Sequence, residues 1–178
     1  EAINEGAEVT IVSSEKDLMQ LATARVTMFD AFKNRRIGPE QVQEKFGVYP
    51  EKVVDVQSLA GDSTDNVPGV PGIGIKTAAL LIQEYGDLDT LLARASEIKQ
   101  NKRRENLIEH ADKARLSREL VRLRDDVPLA IPLSELGRRQ PDLVHLEQFL
   151  TEQGFKTILS RIQSRLPTEA SSTSSNPQ

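Results

Sequence analysis

The fold is decided by one stretch, Gly61–Ala78, which reads G-D-S-T-D-N-V-P-G-V-P-G-I-G-I-K-T-A. Two aspartates three residues apart precede a loop of prolines and glycines, and a helical pattern follows. Glycine permits tight turns and close approach of the backbone to a ligand, while proline stiffens a loop by fixing φ. From Ile75 the apolar residues recur at helical spacing, and Gly86 is the expected C-terminal end of the helix. The stretch therefore predicts a hairpin that opens a helix.

The predicted hairpin is suited to binding phosphate. Free N–H groups at a glycine-rich turn and a helix N-terminus favour an anion. The candidate residues for contact with a nucleic-acid backbone are Gly72, Gly74, Lys76 and Thr77. The alternative is an ordinary structural turn between two helices. The repeated V-P-G-V-P-G-I-G, followed by K-T-A, favours the phosphate role.

A helical run from Pro50 to Ala60 precedes the hairpin, with Val53 and Val56 on its apolar side. Helix, hairpin and helix together resemble the helix-hairpin-helix motif, which binds duplexes without reading their sequence. In that motif family the hairpin carbonyls often hold a monovalent cation. By position these carbonyls belong to Pro68, Val70 and Ile73, and K⁺ is the expected ion.

Two pairs of acidic residues are candidates for metal binding. Asp62 and Asp65, taken alone, are equally explained as helix caps. However, Glu15 and Asp17 follow the β-prone run Val9–Val12, and α/β sheets present their sites at the carboxyl ends of strands. If the four carboxylates converge, each like-charged pair about 4 Å apart costs roughly 4 kcal/mol at an effective dielectric constant near 20. A divalent cation would turn that repulsion into binding, and oxygen ligands suit Mg²⁺ or Mn²⁺.

Taken together, these motifs closely resemble the C-terminal half of the 5′-nuclease (5′-3′ exonuclease) domain of bacterial DNA polymerase I, in the flap endonuclease superfamily. The likeness covers about residues 1 to 165, and the hairpin stretch is its most specific part. The other matching runs are S-S-E-K-D-L-M-Q-L at Ser13–Leu21, I-G-P-E-Q-V at Ile37–Val42, and Y-G-D-L-D-T-L-L at Tyr85–Leu92.

The resemblance implies a two-metal nuclease that cuts 5′ flaps and removes RNA primers by hydrolysis. Its implied substrates are double-stranded DNA with a 5′ flap or nick and RNA primer–DNA hybrids. By motif alignment, Asp17, Asp62 and Asp65 match ligands of the second metal site and are catalytic through the metal. Glu15 stands where the family has aspartate in a G-D-K-D motif, and its longer side chain is an implied ligand, direct or through water.

The resemblance also implies a particular organisation. The family's first metal site, with its E-A-D-D helix, would lie N-terminal to Glu1, so we expect a piece of a larger enzyme that is inactive by itself. Residues 1–48 would complete the nuclease sheet subdomain, and residues 49–166 would form the helix-hairpin-helix module and its following helices. Residues 167–178 read as a disordered linker to proofreading and polymerase domains of the same parent chain. Since Val9–Val12 would lack its usual neighbours, we also expect the isolated chain to dimerise or to pair its strands unusually.

Composition excludes several classes of function. A chain of 178 residues with 38% hydrophobic content can bury one core of ordinary size. The sequence has neither an 18-residue apolar run nor a secretory signal, so it predicts no membrane partner and a cytoplasmic location. Zero cysteines exclude disulfides and thiolate-bound zinc. Five phenylalanines, two tyrosines and no tryptophan argue against a binder that stacks single-stranded bases.

The net charge of −4 conceals a basic segment. Between Lys99 and Arg124 there are nine basic residues against four acidic ones, and charge distribution matters more than the sum. Lys102, Arg103 and Arg104 form a cluster that is expected to contact a phosphate strand. The alternative is a solvated helix face with ion pairs along it.

The fold class is therefore predicted to be α/β and mainly helical, with a remnant of a parallel sheet packed against the helix-hairpin-helix module. Its other predicted elements are a strand at Thr27–Ala31, a basic turn at Phe32–Arg36, helices at Pro39–Phe46 and Asp87–Ala95, one long helix through Lys99–Arg124, and a helical pattern over Pro141–Gln163. Two alternatives to the polymerase-associated nuclease remain open. One is a stand-alone 5′ nuclease, and the other is a non-catalytic DNA-binding module.

Overall fold

A computed structural model describes residues 1–164 of the chain, in two compact units. The first unit is Glu1–Ala130, and the second begins at Ile131. The domain boundary predicted at residue 48 falls inside the first unit and stays a prediction. The tail predicted for residues 167–178 lies outside the described residues.

A small sheet forms the N-terminal part of the first unit. Its strands are β1 (Val9–Val12), β2 (Val26–Asp30) and β3 (Arg35–Ile37), in the order β1-β2-β3. β1 and β2 run parallel, with Val9 opposite Val26, whereas β2 and β3 are antiparallel. The predicted parallel remnant is therefore present, and the basic turn, with Asn34 at φ 49°, closes a hairpin that adds an antiparallel strand.

The helices of the first unit agree closely with the pattern of the sequence. α1 (Pro39–Phe46) has Pro39 in its first turn and is capped by Gly47, whose φ of 75° only glycine adopts readily. The predicted run from Pro50 begins as a 3-10 turn and becomes helical at Val53. The bounds are α1 (Pro39–Phe46), α2 (Val53–Ala60), α3 (Ile75–Tyr85), α4 (Leu88–Ala93), α5 (Asn101–Glu109) and α6 (Ala111–Val121).

The prediction of one long helix through Lys99–Arg124 is wrong. The chain breaks at His110, with φ −110° and ψ 22°, so that α5 and α6 are separate helices. The spacing of Leu107, Ala111, Ala114, Ser117 and Val121 predicts one apolar-to-small stripe along this segment, and all of them except the half-buried Ala111 are buried. A single residue outside the helical region redirects the chain without moving the stripe away from the core, and residue spacing alone does not reveal it.

The core of the first unit is centred on α2, which packs against α3 and α6. Val53, Val56 and Leu59 on α2 have no exposed surface. Burying each such side chain stabilises the fold by roughly 1.5–3 kcal/mol. The loop that leaves α2 therefore starts from the most firmly held element of the unit.

The second unit contains α7 (Leu143–Glu152) and α8 (Lys156–Gln163). Asp142 caps α7 by accepting a hydrogen bond from the His145 N–H. The helical pattern predicted for Pro141–Gln163 is interrupted near Gly154, at φ 70°. Within residues 1–164, no helix has both the length and the apolar character needed to cross a membrane.

Candidate metal centre and nucleic-acid interface

Local structure places three aspartates at the ends of firmly held elements. Asp17 begins a 3-10 turn shortly after β1, and this turn is anchored by the buried Met19. Asp62 comes two residues after α2 and exchanges two backbone hydrogen bonds with Val67, at 2.9 and 2.7 Å. Asp65 lies on the tight turn that this bridge closes. All three positions are therefore fixed by the backbone.

The three side chains converge. One carboxylate oxygen from each of Asp17, Asp62 and Asp65 lies within 4.8 Å of those of the other two. Asp62 is buried, with 9% of its surface exposed, whereas Asp65 is exposed. A site with one buried and one open carboxylate can hold a cation firmly and still admit a ligand from solvent.

Glu15 does not join this cluster in the described part of the chain. Its Oε1 atom accepts a hydrogen bond from the Lys16 backbone N–H at 2.8 Å, and the side chain is exposed. The assignment of Glu15 as a ligand stays a prediction.

Lys16 lies among these carboxylates, a placement that the spacing of the residues in the sequence does not predict. Its ammonium forms an ion pair with the Asp62 carboxylate and lies 4.0 Å from the Asp65 carboxylate. The hydrogen bond from Lys16 lowers the pKa of Asp62, and the same bond raises the pKa of Lys16. The pKa of Asp65 is raised by desolvation and by the neighbouring charge of Asp62. Both aspartates thus respond to the charge balance of the cluster.

Gln57 supports the cluster from the buried side of α2. This α2 residue is 2% exposed and donates a hydrogen bond from Nε2 to Asp17 Oδ1. Its Oε1 atom is buried and has no hydrogen-bond partner among the described residues. A buried carboxamide oxygen of this kind ordinarily has a partner, such as water. The donor set is thus entirely oxygen and fits a hard divalent ion such as Mg²⁺ or Mn²⁺.

The alternative role of the aspartates is to accept hydrogen bonds from backbone N–H groups. Asp62 plays this role with one of its two oxygens. Asp62 Oδ1 accepts a hydrogen bond from the Thr64 N–H at 2.9 Å, which stabilises the turn. The other oxygen, Oδ2, is directed at Lys16. Asp62 therefore uses one oxygen to stabilise the turn and the other to pair with Lys16.

The hairpin between α2 and α3 depends on a close contact between two glycines. A Cβ atom on Gly69 would lie 2.5 Å from the Gly61 backbone nitrogen, and one on Gly61 would lie 2.7 Å from the Val67 oxygen. Both glycines have positive φ, at 69° for Gly61 and 59° for Gly69. These positions require glycine for the fold and do not by themselves indicate a ligand.

The predicted phosphate-binding residues form the outer edge of the hairpin. Gly72, Gly74 and Lys76 are exposed, and Thr77 is half-buried. A Cβ atom on Gly74 would meet nothing within 4 Å, so its surroundings are open to a ligand. Gly74 also provides the N-cap of α3, so that the first N–H groups of this helix lie beside it.

The three carbonyls predicted to hold K⁺ belong to residues of the same loop that differ in exposure. Val70 and Ile73 are buried, and Pro68 is exposed. The Val70 carbonyl accepts a hydrogen bond from the Ile73 N–H at 3.1 Å and retains a second lone pair. Their role as a cation site stays a prediction.

Two buried polar residues that hold the hairpin were missed from the sequence. Ser117 on α6 accepts a hydrogen bond from the Gly69 N–H at 2.9 Å, and Asn106 on α5 donates one to the Pro71 carbonyl at 2.8 Å. Their signal was visible, since both fall beside the apolar stripe of Leu107 and Ala114. A polar residue on a buried face usually has a specific partner.

The three basic residues Lys102, Arg103 and Arg104 on α5 differ in exposure and in hydrogen bonding. Lys102 is exposed, and Arg103 is half-buried beside a cavity that Glu84 and Glu97 also line. Arg104 donates hydrogen bonds to the Ile98 carbonyl at 2.9 Å and to Asn101 Oδ1 at 2.8 Å. Arg104 therefore stabilises the start of α5 itself, and Lys102 is the most accessible of the three.

This hairpin beside an acidic cluster defines the chain as a helix-hairpin-helix domain with a candidate metal centre. The family description "5'-3' exonuclease, C-terminal SAM fold" matches residues 48–144, more than half of the chain. The chain belongs to this family, and the resemblance drawn from the motifs is confirmed.

Similar proteins support this assignment. DNA polymerase I from Rhizobium leguminosarum is 55% identical over 166 residues, which is 93% of this chain and 16% of that protein. DNA polymerase I from Bacillus caldotenax is 38% identical over 167 residues, 92% of this chain and 19% of that protein. The chain thus spans less than a fifth of the length of these relatives. A T5 5′-exonuclease structure with zinc bound superposes with a TM-score of 0.60 at 27% identity, covering 64% of this chain and 42% of that one.

Proposed function

We propose that the chain is the metal- and duplex-binding half of a 5′-3′ exonuclease/flap endonuclease domain of the DNA polymerase I type. The observation that carries the proposal is the convergence of Asp17, Asp62 and Asp65 beside the exposed edge of the hairpin. Mere duplex binding needs no cluster of like charges, and such a cluster is unfavourable without a cation. The DNA polymerase I relatives, which match over nine-tenths of the chain, support the same assignment.

In the proposed mechanism, Asp17, Asp62 and Asp65 would hold one divalent cation, Mg²⁺ or Mn²⁺. Such an ion, when bound, helps to activate a water and to stabilise the oxygen that leaves from a phosphodiester. Gln57 orients Asp17, and the backbone bridge between Asp62 and Val67 keeps the other two carboxylates in place. The residues of this chain would thereby position the scissile phosphate and hold three negatively charged carboxylates ready to bind the cation.

The hairpin grips the duplex away from the scissile bond. Gly72, Gly74 and the first turn of α3 present backbone N–H groups, and Lys76 and Thr77 add side-chain donors. Lys102 extends the contact along one strand. The carbonyls of Pro68, Val70 and Ile73 would hold K⁺, whose positive charge would favour a phosphate nearby. The proposed substrates are duplexes with a 5′ flap or nick and RNA primer–DNA hybrids. The proposed location is the cytoplasm, with proofreading and polymerase domains on the same parent chain.

Substituting the aspartates tests the metal assignment. In a longer protein that carries this chain and cleaves flaps, Asp62→Asn or Asp65→Asn should lower the cleavage rate at least about 100-fold, because each change removes a charged ligand. Flap binding in Ca²⁺, measured by fluorescence anisotropy, should be nearly unchanged. Glu97→Gln, an acidic residue paired with Arg94 on the surface, is the matched control and should cleave normally. Full cleavage by the aspartate variants would refute the metal assignment.

Substituting two glycines tests the phosphate assignment. Gly74→Ala should leave the melting temperature within about 2 °C but weaken duplex binding several-fold, because the added methyl occupies the open space where phosphate approaches. Gly69→Ala should instead destabilise the fold by several kcal/mol, because its methyl would overlap the Gly61 backbone. Unchanged duplex affinity in Gly74→Ala would place the phosphate elsewhere.

The second candidate function is a non-catalytic DNA-binding module, favoured by the exposed hairpin considered without its aspartates. Flap cleavage by the 178-residue chain and by a longer chain containing it separates the candidates. Cleavage only by the longer chain, lost in Asp62→Asn, supports the nuclease. If the longer chain still cleaves flaps after Asp17, Asp62 and Asp65 have each been substituted, this chain contributes only DNA binding.

A further inference from the structure

The proposed metal centre contains a cation supplied by the protein itself. The Lys16 ammonium is ion-paired with Asp62 and lies 4.0 Å from an oxygen of Asp65. Asp17, directly adjacent in the sequence, completes a ring of three carboxylates whose oxygens lie within 4.8 Å of one another. The ammonium is therefore at the same carboxylates that the proposed function assigns to a divalent ion.

The Lys16–Asp62 ion pair is partly buried, and the backbone of Lys16 is fixed. The Lys16 side chain is 29% exposed and that of Asp62 only 6%, so the pair is partly withdrawn from solvent. The backbone of Lys16 is fixed because its carbonyl accepts a hydrogen bond from the Met19 N–H at 3.0 Å, at the start of the anchored 3-10 turn. A long, flexible side chain on a fixed backbone can move away from the carboxylates without disturbing the fold.

We propose that Lys16 is a resident counter-ion of the metal centre, which neutralises Asp62 and Asp65 in the metal-free protein and is displaced when a divalent cation binds. The proposal rests on the proposed function, since it presupposes that these aspartates hold the metal. In the metal-free state the ammonium relieves the repulsion among the carboxylates. On metal binding, the dication repels the ammonium and competes with it for the same carboxylates, so the Lys16 side chain moves away. Metal affinity is thereby lowered, and the metal-free site is kept assembled.

Calorimetric titration of the 178-residue chain with Mn²⁺ at low ionic strength tests this exchange. Lys16→Met should bind Mn²⁺ about fivefold more tightly than the wild type, the equivalent of one favourable ion pair that need no longer be broken. Lys16→Arg keeps the charge and should bind within about twofold of the wild type. Lys113→Met, an exposed lysine on α6, removes the same charge away from the cluster and should leave the affinity unchanged.

A second measurement uses the wild-type chain and so does not depend on the folding of a variant. The rate at which the Lys16 amine is acetylated, followed by mass spectrometry, should rise when Mn²⁺ is added, because displacement frees the amine from Asp62. The rate for Lys113 should not change. Melting curves add a third readout, since Mn²⁺ should raise the melting temperature of Lys16→Met more than that of the wild type.

The outcomes separate this inference from the proposed function. Equal or weaker Mn²⁺ binding by Lys16→Met, with binding still lost in Asp65→Asn, would overturn the counter-ion role and leave the metal site standing. An equal gain in Lys113→Met would also overturn it, because the effect would then be one of net charge. No Mn²⁺ binding by the wild type or by any Lys16 variant would overturn the metal site and the counter-ion together.

Discussion

Single side chains decide how the hairpin and the metal centre are held. Ser117 and Asn106 each make one hydrogen bond to the hairpin backbone from a separate helix. Gln57 makes the corresponding contact to Asp17. All three are buried and polar, and each uses its hydrogen bond to hold a group of the hairpin or of the metal centre in place. Function at the surface thus depends on polar residues beneath it.

Ser117→Ala is predicted to destabilise the protein by about 1–3 kcal/mol, because it leaves the buried Gly69 N–H without an acceptor. Ser58→Ala is the matched control, since Ser58 is also fully buried but only donates to the Val54 carbonyl of its own helix. That change should cost less than about 0.5 kcal/mol. Urea denaturation measures both variants. Equal losses of stability would show that the hydrogen bond to Gly69 has no special weight.

At the scale of elements, caps and turns fix where helices begin. Asp87 accepts a hydrogen bond from the Thr90 N–H at 2.8 Å and starts α4, as its place before Leu88 predicts. α4 in turn packs against α3 and α2, with Leu88 and Leu91 fully buried. The start of this short helix therefore affects the support of the hairpin.

Asp87→Ala is predicted to lower the melting temperature at pH 7 by about 2–4 °C, because the first turn of α4 loses its cap. Asp87→Asn keeps the acceptor and should melt close to the wild type.

The Thr90 N–H lowers the pKa of Asp87 below its ordinary value of 3.8 in the folded protein. The stabilisation is thus complete above that value and is lost as the pH falls through the lower folded pKa. Calorimetric scans from pH 7 to pH 2 should show the advantage of the wild type over Asp87→Ala shrinking below about pH 4. An advantage that is independent of pH would contradict this account.

At the scale of the whole molecule, the local charge of the hairpin differs in sign from the net charge of the chain. The chain carries a formal net charge of −4, yet the exposed edge of the hairpin presents Lys76 and no acidic side chain between Asn66 and Gln83. Exposed apolar residues near the sheet, such as Val12 at 67% and Phe32 at 95%, are consistent with the expected dimer, which stays a prediction. Binding of a duplex therefore depends on where the basic residues lie and on ionic strength.

Duplex affinity of the 178-residue chain is predicted to fall steeply with salt. Each phosphate contact contributes a slope of about −0.9 in log K against log salt concentration, so Lys76→Met should make the slope less negative by about one unit. Lys113→Met should leave the slope unchanged, since Lys113 lies outside the predicted interface. Anisotropy titrations between about 50 and 200 mM KCl measure the slope. Equal changes in slope for both variants would mean that binding follows net charge and not the hairpin.

Much of the fold was determined by the sequence itself, because the signals are local. The apolar periodicity, Pro39 and Gly86 place the bounds of α1 and α3 at the observed residues, and Asp87 predicts its own cap. The repeated proline and glycine residues predict the hairpin. The candidate metal ligands were also visible, since carboxylates follow a β-prone run and precede the hairpin.

What only the tertiary structure decided are contacts between distant residues. The packing of β1, its 3-10 turn and α2 brings Asp17 to Asp62 and Asp65, leaves Glu15 outside, and sets Lys16 among the three carboxylates. The break at His110 and the bonds from Ser117 and Asn106 to the hairpin were likewise not predicted. Periodicity and caps are properties of short windows of sequence. Which polar groups meet depends on how the elements pack, and packing is a property of the whole chain.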